Sequence, residues 1–225
     1  MNDPIGTDFN WKSLCKNYND ACKGFCPNAG SLDVFAERPQ TDRDLYYALV
    51  DRVRDERAKK GYIGLGTYEA ILYWKLYSQP AAVANTCKRI REDSTIQHRA
   101  ENALKVLFPQ LPQEMSRDIA EVARLFLRVD QHAGSLRGLA TSCTFPVRST
   151  LLHFVYPDIV PIFDKQVLRA VGVCQENANR DQRILFEYIQ FAWNISQKDL
   201  AVIPQDWRET PLRLLDMALW VIRGK

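Results

Sequence analysis

The chain has 225 residues, 46% of them hydrophobic and 25% charged, a composition that excludes the disordered and fibrous classes and supplies enough apolar side chains for a core that needs no crosslinks. The formal net charge of +3, from 30 Lys and Arg against 27 Asp and Glu, neither requires nor forbids a nucleic-acid partner. The richest apolar stretch, Leu151–Phe163, is interrupted by Pro157, Asp158 and Pro161, so no membrane span is expected. Six cysteines behind an N-terminus that lacks an export signal read as reduced thiols in a cytoplasmic protein.

Helical spacing runs through almost the whole sequence. Trp11, Leu14, Cys15, Tyr18, Cys22 and Phe25 recur at steps of three and four, which places them on one face of a helix capped by Thr7 or Asp8. Thr41-Asp-Arg-Asp44 reads as a capping box before Leu45, Leu49 and Val53, and Lys59-Lys60-Gly61 supplies a cationic last turn and a stop. Thr67 opens a third helix holding Ile71, Trp74 and Tyr77; Pro80 ends it, since proline disfavours helix in the residue before it, and Gln79 then sits at a helix-to-helix corner. Helices are expected over 81–91 and 94–108, before a rigid break at Pro109-Gln-Leu-Pro112. Ser116 is placed as the cap of a helix whose apolar stripe is Ile119, Val122, Ala123, Phe126 and Leu127. Further helices are expected over 134–142, 147–156, 165–171 and 180–196, and a last one from Thr210-Pro211 through Leu215, Leu219 and Ile222. No segment alternates long enough to make a strand, so the fold class is all-α.

The segment Cys143–Arg169 is organised beyond simple periodicity. It reads as a short helix, a proline-bearing hairpin at Phe145-Pro-Val-Arg-Ser149, a second short helix, an extended Pro161-Ile-Phe163, and Asp164 opening another helix. On spacing alone Asp164 suits the N-cap of that helix, where a carboxylate meets free N–H groups and the helix dipole. Pro161-Ile-Phe-Asp164-Lys-Gln-Val-Leu-Arg169 also resembles an element of the helix-hairpin-helix DNA glycosylases, including endonuclease III-like and archaeal 8-oxoguanine glycosylase-like enzymes. In that family an extended stretch leads to an aspartate, followed by a helix with an apolar residue and an arginine. Tyr73-Trp-Lys-Leu-Tyr-Ser-Gln79 is similar to the family's apolar helix whose final glutamine fills the gap left by a flipped base. The resemblance covers residues 68–173 or so, roughly half the chain. The hairpin segment lacks the family's glycines, leaving Arg148, Ser149 and Thr150 as side-chain donors for a phosphate. It also lacks the lysine of the bifunctional members; Lys165 adjoins Asp164, but neighbours on a helix do not share a face.

The resemblance implies a single domain over residues 1–225, with a central lobe at about 68–173, the terminal helices in a second lobe, and a cleft between them. It implies a DNA glycosylase that flips a damaged or modified base and hydrolyses its bond to the sugar, in base-excision repair or in defence against phage with modified DNA. Asp164 is then the catalytic carboxylate, stabilising an oxocarbenium-like centre or orienting water. Gln79, Arg148, Ser149, Thr150, Lys165 and Arg169 are the DNA-contacting candidates. Trp74, Tyr77 and His153 are the base-pocket candidates, because aromatic faces hold an extruded base; all three equally suit a packed core. With no lysine at the hairpin, a monofunctional enzyme using water is expected. Cys15, Cys22 and Cys26 fall short of the four thiolates of an iron–sulfur cluster, so neither metal nor cofactor is expected. The expected partner is double-stranded DNA, met by a monomer with no membrane contact. The alternative is a non-catalytic helix-hairpin-helix module for DNA or protein binding, favoured by the missing glycines and modest charge. An all-α scaffold unrelated to nucleic acid also fits the periodicity.

Overall fold

The computed structural model describes residues 1–5, 9–22, 24–139, 144–196 and 209–222. Among them every regular element is helical: α1 Leu14–Ala21, α2 Asp42–Lys60, α3 Leu65–Leu76, α4 Pro80–Val83, α5 Arg89–Glu92, α6 Ser94–Leu107, α7 Ile119–His132, α8 Thr144–Val155, α9 Lys165–Ala170, α10 Gln182–Ser196 and α11 Pro211–Ile222. No membrane-crossing helix occurs among the described residues.

The caps follow the sequence closely where polar side chains dictate them. Thr41 and Asp44 form the reciprocal capping box of α2, and Gly61, at φ 78°, closes it in the left-handed region that only glycine enters without strain. Thr210 accepts the Arg213 N–H at 3.2 Å and starts α11. α3 has no side-chain cap; instead the Glu56 carboxylate of α2 accepts the Gly64 N–H at 2.7 Å. α3 is also buried on every face, with residues 67–74 all buried, and it packs against both α2 and α8. It is the central rod of the main core, which α6, α7 and α10 complete. A smaller apolar cluster of Leu14, Tyr18, Leu214, Met217 and Ala218 joins α1 to α11.

Several expectations change. The first helix stops at Ala21, short of Phe25, with Asn10 accepting the Ser13 N–H just ahead of it; Thr7 and Asp8 lie outside the described residues. Asp118, not Ser116, caps α7, because its carboxylate accepts from both Ala120 and Glu121 N–H. The helix expected over 81–91 is broken into α4 and α5 by a π-helical stretch, Ala84–Lys88, a distortion that recurs at functional sites. The helix expected over 134–142 is absent from residues 134–139, which form turns; the remainder lies outside the described residues. Most consequential is the hairpin. Phe145 to Ser149 are the opening turns of α8, not a hairpin, since a proline within the first turn needs no N–H partner and leaves the helix intact.

Candidate functional site

Asp164 ends an extended run in which Ile162 and Phe163 are buried. Its backbone stays extended, at φ −153° and ψ 174°. Oδ1 accepts the N–H groups of Gln166 and Val167 at 2.8 and 3.0 Å, so the carboxylate is an N-cap and cannot rotate freely. Oδ2 accepts from Lys75 Nζ at 2.8 Å, an ion pair reaching across from α3 with side chains 16% and 11% exposed. Burial pushes the Asp164 carboxyl up, but Lys75 and the two backbone donors outweigh it and hold the group below its ordinary value. Asp164 is therefore an anion at neutral pH, fixed by donors and open on one side.

That open side faces a cavity of about 700 Å³ between α3, α9 and α11. Trp74 and Tyr77 of α3 and Trp220 of α11 give it aromatic walls, Tyr18, Asp42 and Asp216 line it more deeply, and Gln79 and Lys165 stand exposed at its edge. Beside it lies Arg213 of α11, fully buried. Its guanidinium pairs with Asp216, with Asp42 at 3.2 Å and with the Tyr18 hydroxyl at 2.8 Å. It also lies 4.5, 4.8 and 5.0 Å from the ring centroids of Tyr46, Tyr18 and Trp74. Such a buried cation is tolerated because carboxylates and ring faces surround it. The Tyr18 hydroxyl in turn donates to Asp42 at 2.8 Å.

A second cavity of about 340 Å³ adjoins the first and shares Asn85, Thr86 and Gly138 with it. Arg99 and Arg137 line it; Arg137 Nε donates to the Asn85 carbonyl at 2.8 Å and Arg99 to that of Gly134 at 3.2 Å. The π-helical stretch thus runs along both cavities.

Of the sequence candidates, Asp164, Trp74, Tyr77, Gln79 and Lys165 come together around the first cavity. Arg169 is exposed on α9 and does not line it. Four others are corrected, because all sit on the buried part of α8. Arg148 is 7% exposed and pairs with Asp130 of α7 at 2.6 Å. Ser149 is fully buried; its Oγ accepts the Phe163 N–H at 3.0 Å and donates to the Pro146 carbonyl at 3.0 Å. Thr150 is equally buried and donates to the same carbonyl at 2.8 Å. None of the three presents its polar group to a phosphate. Ser149 instead clips the residue before Asp164 to α8. His153 is fully buried between Tyr46 Oη, 2.9 Å from Nε2, and the Val160 carbonyl, 2.7 Å from Nδ1. Burial drives its pKa down to about 3, so it is a neutral core residue.

The sequence reading missed Lys75, Asp42, Asp216 and Arg213. A signal was present for the last two: charges three apart inside the apolar run Leu212–Leu219 have to meet each other. Nothing local marks Lys75, whose partner is 89 residues away. No family model matches the sequence, and no curated protein or solved structure matches it at a significant level.

Proposed function

We propose that the chain is a DNA glycosylase that extrudes a modified base into the aromatic-walled cavity and hydrolyses its bond to the sugar. The observation that carries this reading is the Lys75–Asp164 pair at the side of a 700 Å³ cavity, a volume within the roughly 300–1,000 Å³ of small-molecule sites. It adds to the likeness between Pro161–Arg169 and the corresponding element of helix-hairpin-helix glycosylases. Cleavage of the C1′–N bond builds positive charge on the sugar, and an ionised Asp164 stabilises that charge and orients the water that attacks C1′. The base leaves with the proton, and an abasic strand remains. Gln79 fills the stack, while Arg99, Arg137 and Lys165 meet phosphates in place of the buried Arg148. The two-lobed arrangement, the monomeric state and a role in repair or phage defence belong to the same proposal.

Lys75 supports a second reading, in which its amine attacks C1′ and forms a Schiff base that leads to strand cleavage. The ion pair argues for water, since an ammonium held by a carboxylate is not a nucleophile. Incubation of modified-base duplexes with borohydride separates the two. Base release without a protein–DNA adduct is expected; an adduct lost in Lys75→Ala establishes the amine route. DNA binding without base release from any substrate would leave a non-catalytic module.

A further inference from the structure

We infer that Asp216 reads the extruded base, offering a carboxylate oxygen to an N–H donor, so that the substrate class is a base bearing an exocyclic amine. This rests on the glycosylase reading of the cavity. Asp216 is 6% exposed and lines the cavity. Its Oδ2 accepts from Arg213 Nη1, whereas Oδ1 takes no hydrogen bond from any described residue. An acceptor at a cavity wall with no donor from the protein is met by water or by a ligand N–H, and so marks a place for a ligand group. Asp42 is more fully engaged: its Oδ1 accepts from both Tyr18 and Arg213, and Tyr77 is a further hydrogen-bonding neighbour of its carboxylate. Trp220, four residues along α11, lines the same cavity and lies on the same helix face. A heterocycle packed on it directs an edge toward Asp216.

Arg213 can only donate, which makes the effect of Asp216→Asn definite. The amide oxygen must serve Arg213, so the amide –NH2 replaces the acceptor that faced the cavity. The test uses free bases, 9-methyladenine and 9-methylpurine, which differ by one amine; binding is followed through tryptophan fluorescence. Neither has a bond to a sugar, so the outcome is separate from whether the chain excises bases from DNA. The wild-type protein should bind 9-methyladenine about tenfold more tightly, the scale of one charged hydrogen bond. Asp216→Asn should reduce that ratio to about one. Equal binding of both bases by the wild type, no binding of either, or an unchanged ratio in the variant overturns the inference.

A pH titration of the wild type gives the same answer without a mutation. The groups facing Asp216 are Arg213 on its own helix, Asp164 and Lys75 across the cavity, Tyr18 of α1, Tyr46 of α2 and Tyr188 of α10; burial holds all three tyrosines above their ordinary values, so none of them titrates in this range. Burial raises the Asp216 carboxyl to about 6 against the pull of Arg213; Asp164 is held low, and Arg213 and Tyr188 lie well above their ordinary values. The preference for 9-methyladenine should therefore decline as pH falls through about 6. A preference constant from pH 7.5 to 5 rejects the role of Asp216.

Discussion

Replacing Asp164 by Asn separates its two jobs. Asparagine is as good an N-cap as aspartate, so the bonds to Gln166 and Val167 N–H survive and α9 keeps its start. What disappears is the charge and the acceptor for Lys75 Nζ. Leaving that ammonium without its partner costs about 1–3 kcal/mol, a fall in melting temperature of a few degrees for a chain of this size. On the rate, a carboxylate about 4 Å from a sugar cation at an effective dielectric near 20 is worth about 4 kcal/mol, or roughly a thousandfold. The unpartnered Lys75 then repels the same cation, which deepens the loss. Single-turnover base release by Asp164→Asn should fall by about two to four orders of magnitude while DNA affinity changes little. A variant that folds and releases base at the wild-type rate would reduce Asp164 to a helix cap.

The other outcomes test neighbouring parts of the site. Arg137→Ala should lower the slope of log affinity against log salt by about one unit for a lost phosphate contact, and Arg148→Ala, whose partner is Asp130, should leave that slope unchanged. Ser149→Ala removes the clip on Phe163 and should lower stability by about 1–2 kcal/mol in chemical denaturation without altering salt dependence; the reverse pattern would restore Ser149 to the DNA surface. Gln79→Ala should slow excision from paired DNA more than from single strands, and equal slowing would argue against a wedge. Because Asp216 titrates at about 6 in the folded chain and near the ordinary 3.9 when unfolded, folding loses stability as pH rises between those values. Melting temperatures of Asp216→Asn should lack that part of the slope.

Local chemistry was legible where a cap or a period states it directly. The capping box at Thr41, the stop at Gly61, the Gln79 corner, the Thr210 start and the Asp164 cap all appear at the expected residues. The hairpin misreading arose from treating Pro146 as a breaker, whereas its place in the first turn of α8 lets the helix run through it. From that error followed the misplacement of Arg148, Ser149 and Thr150, polar residues whose partners are the Pro146 carbonyl, the Phe163 backbone and Asp130. Lys75 and the Tyr18 and Asp42 partners of Arg213 were illegible for a different reason: the groups they meet lie far along the chain, and only the tertiary fold brings the end of α3 to Asp164 and α1 and the start of α2 to α11.

The central claim is that this cavity and its Lys75–Asp164 pair break a bond between a base and its sugar. Purified protein incubated with a panel of modified-base duplexes and phage genomic DNAs, with released bases detected by mass spectrometry, tests it most directly. At least one free base should accumulate with the wild-type protein, and the strand left behind should be abasic yet unbroken until alkali is added. No base released from any member of the panel, with DNA nevertheless bound, would contradict the account.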